Sequence, residues 1–227
     1  MGRTARLMIS VALAAAGLRG QGPGGSYQGA VVTKAGAIRF PLNSSVTGLV
    51  ALRVSVDATG VVQGVADSGE LPPLTEAAKE GVKVWRFAPA MKAGKPIGGE
   101  ARVYVVFNPF NPGNVTIPVP PPAVPPLPSG TGDTEVFRPA DVQKAIYAAY
   151  PTNTVASGTL VLDVKVGADG SMVGATVLGG EAGTPLSGAV TRALRGWKFS
   201  GGSYGGKPLV THVEVAFVFA SPALGTR

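Results

Sequence analysis

Most of this chain is written twice. Residues Gly48 to Phe107 and Gly158 to Phe219 carry the same landmarks in the same order. Pro41, Gly48 and Gly60 fall on Pro151, Gly158 and Gly170 at one offset, which grows by two residues before the next block. From there Pro73, Leu74, Trp85, Phe87, Gly94, Lys95, Pro96 and Phe107 fall on Pro185, Leu186, Trp197, Phe199, Gly206, Lys207, Pro208 and Phe219. A unit of this size, repeated once, is a small supersecondary module, so fold and function are to be sought in what both copies keep.

Each copy opens with alternation. Val50, Leu52, Val54 and Val56 are separated by Ala51, Arg53 and Ser55, and Leu160, Leu162, Val164 and Val166 repeat the pattern, which predicts a strand with one buried face. The turns Asp57-Ala-Thr-Gly60 and Gly167-Ala-Asp-Gly170 place glycine where a hairpin needs positive φ, and lead into second strands near Val61 to Ala66 and Ser171 to Val177. Pro73 and Pro185 suit the first position of a helix, where a missing amide donor costs nothing. A stripe at helical spacing follows, Leu74, Ala78, Gly81, Val82 and Trp85 in one copy and Leu186, Val190, Ala193, Leu194 and Trp197 in the other. After turns at Gly94-Lys-Pro96 and Gly206-Lys-Pro208, alternation resumes to Phe107 and Phe219. The expected architecture is α+β: two tandem β-β-α-β modules, each a three-stranded antiparallel sheet with one helix packed across it.

The rest of the chain reads as connection and address. Arg3 and Arg6 precede the apolar run Leu7 to Leu18, backed by small residues, so residues 1–20 are expected to be a cleaved bacterial secretory signal. That run is about half of the roughly 20 apolar residues a spanning helix needs. Module 1 is expected over 30–108, a proline-rich spacer over 109–132, and module 2 over 133–221. The spacer holds IPVPPPAVPPLPSG, in which proline fixes φ and removes donors, and extends at roughly 3.1 Å per residue. The chain has no cysteine, so each module must hold itself by packing. The formal charge of +7 falls to +4 when Arg3, Arg6 and Arg19 are removed, a balance that suits weak attraction to an anionic envelope and argues against nucleic acid as a partner.

Catalytic and cofactor motifs are thin. Gly201 to Lys207 fits most of a phosphate-binding loop, but Pro208 stands where a metal-binding Ser or Thr belongs, and a strand follows it where a helix is required. His212 is the only histidine and has no counterpart in the first copy, which leaves a triad or a three-ligand zinc site hard to assemble. No catalytic, cofactor or metal residue is assigned, and the chain is read as non-enzymatic. In Trp85-Arg86-Phe87 and Trp197-Lys198-Phe199 the tryptophans complete the apolar stripes and read as core, the alternative being an aromatic hot spot for a partner. Arg86 and Lys198 suit the negative end of the helix dipole. The strand that ends each module is the best functional candidate, since an edge strand offers unpaired amides and carbonyls to an added strand. The alternatives are that the two edges pair with each other or that loops cover them.

Phe40-Pro41 and Tyr150-Pro151, the glycine-led strand, the Asp-x-x-Gly-like turn, the helix, Trp-Arg/Lys-Phe, Gly-Lys-Pro and the closing Val-x-Val-x-Phe-type strand together resemble the C-terminal domain of TonB. Trp85 to Pro89 gives the nearest match, and the second copy departs at Ser200 to Gly202, where the proline is absent. The resemblance implies a periplasmic protein linked to transport across the outer membrane. It implies binding of a short transporter segment, added as a strand to the last strand of the sheet. By position, the pairing residues are Ala101, Arg102, Val103, Tyr104, Val105, Val106 and Phe107 in module 1, and Val213, Glu214, Val215, Ala216, Phe217, Val218 and Phe219 in module 2. The partners implied are a segment of an outer-membrane transporter or of another envelope protein, with peptidoglycan as an alternative contact. A second copy of the chain is a further candidate, since an open edge also invites dimerisation. An energy transducer kept on a short anchor at Leu7 to Leu18, and a structural envelope protein with edge-paired modules, are the other readings.

Overall fold

The computed structural model of the protein describes residues 27–41, 44, 46–67, 71–109, 115–120, 136–152, 154–180 and 185–220. The expected signal segment and most of the proline-rich spacer lie outside these residues. The first copy runs β1 (Tyr27–Gln28), β2 (Val31–Lys34), β3 (Gly48–Val56), β4 (Val62–Asp67), α1 (Pro72–Lys83), β5 (Arg86–Ala88), β6 (Ala90–Lys92), β7 (Lys95–Ile97) and β8 (Gly99–Asn108). β9 (Thr116–Ile117) lies in the described part of the spacer. The second copy runs β10 (Phe137–Arg138), β11 (Val142–Ile146), β12 (Gly158–Val166), β13 (Met172–Gly179), α2 (Pro185–Leu194), β14 (Lys198–Phe199), β15 (Gly202–Tyr204), β16 (Lys207–Leu209) and β17 (Thr211–Phe219).

The local readings have clear physical causes. Gly60 and Gly170 sit at φ +85° and +84°, and a Cβ there would lie 1.9 Å from the Phe87 carbonyl oxygen and 2.5 Å from that of Phe199. Only glycine can close these hairpins while touching the strand that follows the helix. α1 begins one residue before the expected proline, with Pro72 and Pro73 in its first turn, where amides have no helical partner. Leu74, Ala78, Val82 and Trp85 are buried, as are Leu186, Val190, Ala193, Leu194 and Trp197. Gly81 makes room for Ile38, whose side chain a Cβ at Gly81 would meet at 2.6 Å.

The expectation of an α+β chain of two separate three-stranded β-β-α-β modules is corrected: the described residues form two helices and seventeen strands, a mostly β structure in which short strands flank each helix and the two halves share one sheet. Among the described residues there are five sheets, and the largest has six strands in the order β13-β12-β17-β8-β3-β4. β3 pairs antiparallel with β4 and β8, and β12 with β13 and β17, as each module alone would have it. The two halves are then joined by a parallel pairing of β8 with β17, Val103 opposite Glu214 through Asn108 opposite Phe219. Smaller sheets β1-β6-β7 and β10-β15-β16 repeat each other, and β2-β5 is matched by β14-β11, which β9 extends.

Register explains why this joint is stable. Phe107 and Phe219 are equivalent in the repeat, yet Phe107 pairs with Val218. A slip of one residue turns equivalent side chains to opposite faces, so α1 and α2 cover opposite sides of one sheet. One core holds α1, Val50, Leu52, Val54, Val103, Val105 and Phe107, and takes in Val161, Ala216 and Val218 from the second copy. The other holds α2, Leu160, Leu162, Val164, Val213, Val215, Phe217 and Phe219, and takes in Leu49, Ala51, Tyr104 and Val106 from the first. The outward faces of the isolated modules are thus apolar too. At ~1.5–3 kcal/mol for each large aliphatic or aromatic side chain withdrawn from water, the paired sheet outweighs two solvated ones.

Candidate functional site

The fourteen residues expected to receive a partner strand lie at the centre of the molecule. Ala101 to Phe107 stand in β8 between β3 and β17, and Val213 to Phe219 stand in β17 between β12 and β8. All fourteen are buried, with Val103, Val105, Val213, Val215 and Phe217 at 0% exposure. Each copy occupies the edge that the other would offer, so in this conformation neither strand has an open side.

Both copies also reach across the joint. In module 1 the chain around β2 lies over the second copy: the Val32 amide donates to Glu214 Oε1 at 3.0 Å, the Ile38 amide donates to Thr159 Oγ1 at 2.9 Å, and the Thr159 hydroxyl donates to the Ile38 carbonyl at 2.7 Å. The Trp85 indole holds the same segment from its own module by donating to the Gly36 carbonyl at 3.1 Å. In module 2 the chain around β11 lies over the first copy. The Tyr104 hydroxyl donates to Asp141 Oδ1 at 3.0 Å and accepts the Val142 amide at 3.2 Å, and the Ala148 amide donates to Asn108 Oδ1 at 3.0 Å. Trp197 donates to the Ile146 carbonyl at 3.0 Å, the counterpart of the Trp85 bond. Tyr27 stacks on Tyr204 with centroids 4.5 Å apart and leans on Phe137, its own repeat equivalent, at 4.7 Å.

The charged residues of the two clasps differ. Arg102 and Glu214 are equivalent positions. Arg102 Nε lies 3.0 Å from Asp141 Oδ1, an ion pair outside hydrogen-bonding angle. Glu214 is fully buried, its Oε1 takes the Val32 amide, and its Oε2 has no hydrogen-bond partner. Burial pushes its carboxyl up to about 8, the Val32 bond opposes this, and the neighbouring Asp163 charge adds to it. The order of these effects is physical, since stripping a carboxylate of water costs several kcal/mol and one amide bond to a charged acceptor returns about 1.5–3. Asp163 in turn holds His212, whose Nδ1 lies 2.8 Å from Oδ1. At the equivalent positions module 1 has Arg53 and Glu100, 3.8 Å apart. Burial pushes the Tyr104 hydroxyl well above the usual phenol range, with the Asp141 charge second.

Among the described residues the outermost strands of the large sheet are β4 and β13. On β4, Asp67 is tied to α1 by Lys79 at 3.1 Å. Val177 stands at the equivalent place on β13, and the whole strand, Met172-Val-Gly-Ala-Thr-Val-Leu-Gly179, carries neither charge nor proline. Met172, Val173 and Val177 expose 37%, 61% and 37% of their surface. Sequence reasoning placed this strand but gave it no role, although its lack of any charged residue was legible.

Among the described residues no three His, Cys, Asp or Glu side chains gather in a way that could hold a metal, and no helix is long and apolar enough to cross a membrane. Glu70 and Glu181, acidic residues of the two copies, lie outside the described residues. Compared with family models, with curated proteins and with solved structures, the chain matches none.

Proposed function

We propose that this is a non-enzymatic, exported protein of the bacterial cell envelope that holds an extended segment of an outer-membrane transporter or other envelope protein as an added strand. The receiving strand in this reading is β13. The resemblance to TonB C-terminal domains supports the binding mode, and the pairing of β8 with β17 moves it outward. The observation that carries the proposal is that β13, eight residues long and uncharged, has no strand on its outer side among the described residues. Edge strands left without charge, proline or cover are sites for strand addition.

Amide NMR of the exported protein, titrated with peptides from transporter N-termini, tests this. Shifts concentrated on Met172 to Gly179 are expected. Val173→Lys and Thr176→Lys, both at exposed positions, should weaken binding by about tenfold or more, roughly 1.4 kcal/mol. Gln63→Lys at the matching place on β4 should leave binding unchanged. Silence of β13 at millimolar peptide would overturn the proposal. A second reading would then lead, that of a structural protein whose modules pair within the chain and whose basic surface touches peptidoglycan. The parallel joint of β8 and β17 is the observation that favours it.

A further inference from the structure

Glu214 is the one carboxyl among the described residues with no exposed surface, and it stands where the two copies meet. It lies on β17 between Asp163 of β12 and Val103 of β8, with β2 of the first copy packed above it. The Val32 amide is its hydrogen-bond donor from β2, and its second oxygen faces no donor. The groups that titrate around it are Asp163, directly opposite on β12, and His212, two residues back on β17 and engaged with Asp163. Lys34, at the end of β2, is exposed. No cation among the described residues is paired with Glu214. At the equivalent position on the first copy, Arg102 has a carboxylate within reach.

We infer that Glu214 is a proton-operated clasp: neutral, it accepts the Val32 amide and keeps the segment 30–38 seated over the second copy, and ionised, it expels that segment. The sign follows from where the charge has to sit. With β2 seated, a carboxylate at Glu214 is buried from water, faces the Asp163 charge, and has only the Val32 amide and its own amide against it. With β2 lifted, it is hydrated. The seated form therefore binds the proton more tightly, and is favoured at low pH and weakened as pH rises. Lifting β2 takes Val32, Gly36 and Ile38 with it, and frees the Trp85 indole from the Gly36 carbonyl. The opposite clasp has no uncompensated carboxyl, since Asp141 faces the Arg102 guanidinium and takes the Tyr104 hydroxyl, and the Asn108 amide does not titrate. One end of the joint is therefore responsive and the other constant.

Hydrogen exchange and indole NMR on the intact protein distinguish the two ends. Protection of the Val32 and Ile38 amides, corrected for intrinsic exchange, should fall by up to about tenfold per pH unit between about pH 5 and about pH 8. The Trp85 indole signal should move with it, while the Val142 and Ala148 amides and the Trp197 indole stay constant. Glu214→Gln, which keeps the acceptor and cannot ionise, should hold Val32 protection flat across the range, and His212→Gln should leave the pH dependence in place. Constant protection at Val32 in the natural protein would overturn the inference. So would a parallel loss at Val142, which means global opening, or a dependence that survives Glu214→Gln and vanishes with His212→Gln. If Glu214→Gln does not fold, the contrast between Val32 and Val142 in the natural protein decides the matter.

Discussion

Arg102 and Glu214 sit at the same place in two copies of one module, and each meets the other copy's outlying strand by a different chemistry. Arg102 takes a carboxylate, Asp141, which a tyrosine hydroxyl also engages. Glu214 takes a backbone amide with nothing to neutralise a charge. The neighbouring pair reverses sign as well, from Arg53–Glu100 to Asp163–His212. At the edges, β4 keeps Asp67 tied to Lys79 while β13 keeps neither. Positions that hold the module together keep their character in both copies: the tryptophans and the hairpin glycines are identical, and the helix stripe is built of small or apolar residues in each. At the clasps, in the neighbouring ion pairs and on the outermost strands, equivalent positions have diverged. A duplicated module that closes on its twin no longer meets two identical surroundings, and these differences lie where the surroundings differ.

The largest expected effect tests whether the copies are still two units. Phe217 is fully buried and touches the Trp197 ring at 5.7 Å, in a core that includes Tyr104 and Val106 of the first copy. Phe217→Ala should cost ~3–5 kcal/mol. Because the cores interleave, the loss should appear in one cooperative unfolding transition followed by both tryptophans, monitored as separate indole signals in a urea titration. Two transitions, with the Trp85 signal unmoved by Phe217→Ala, would mean that the modules fold independently and that the shared cores add little.

A smaller effect tests the charged clasp. Asp141→Ala removes the ion-pair partner of Arg102 and the acceptor of the Tyr104 hydroxyl, leaving a guanidinium that is 11% exposed at its side chain. Loss of one partner from a well-buried pair costs 3–5 kcal/mol, and the residual exposure of both groups lowers this to ~2 kcal/mol. In the double variant with Arg102→Met the cost should fall, because no stranded charge remains, and a thermodynamic cycle reads the difference. Additive costs in that cycle would show that Asp141 acts through Tyr104 alone.

Much of the module was legible because it rests on local rules. Gly60 and Gly170 announce their hairpins, Trp85 and Trp197 finish stripes of helical spacing, and Val50 to Val56 alternate as a strand should. The joint is harder to see, because the alternation in each last strand lies within a continuous apolar run. Val103-Tyr-Val-Val-Phe107 and Val215-Ala-Phe-Val-Phe219 have no polar residue to place outward, the mark of a strand buried on both faces. Read that way, they predict burial between neighbours and exclude an open edge. The short outlying strands β1, β2, β10 and β11 give too few residues for periodicity to register. Their place depends on partners such as Thr159 and Asn108 more than a hundred and some forty residues away respectively. The candidate site shifted for the same reason. An edge is a property of the assembled sheet, and the pairing of β8 with β17 closes the edges of those two strands and leaves β4 and β13 as the outer ones.

The smallest expected effect lies in the hairpins, where the copies keep the turn and move its carboxylate. Asp57, at the first turn position, accepts the Thr59 amide at 2.8 Å, the Thr59 hydroxyl at 2.6 Å and the Val61 amide at 3.1 Å, and Gln63 meets its other oxygen at 2.7 Å. Asp169, at the third position of its turn, accepts the Ser171 amide at 2.9 Å and the Ser171 hydroxyl at 2.6 Å. The Thr59 hydroxyl bond, followed by the amide bonds, holds the Asp57 carboxyl down to about 2, and Ser171 lowers that of Asp169. A carboxyl whose folded pKa is depressed adds stability that is present above its unfolded value and is lost as pH falls through the folded one. The natural protein should therefore lose stability on acidification from about pH 4 to about pH 2. Asp57→Asn should start lower and show less of that loss, so that the two melting curves converge near pH 2. Asp169→Asn should do the same more weakly, having fewer donors to lose. Both groups are open to water, which keeps the effects small. Equal shifts for the two variants would mean that the number of bonds at the turn does not decide its strength.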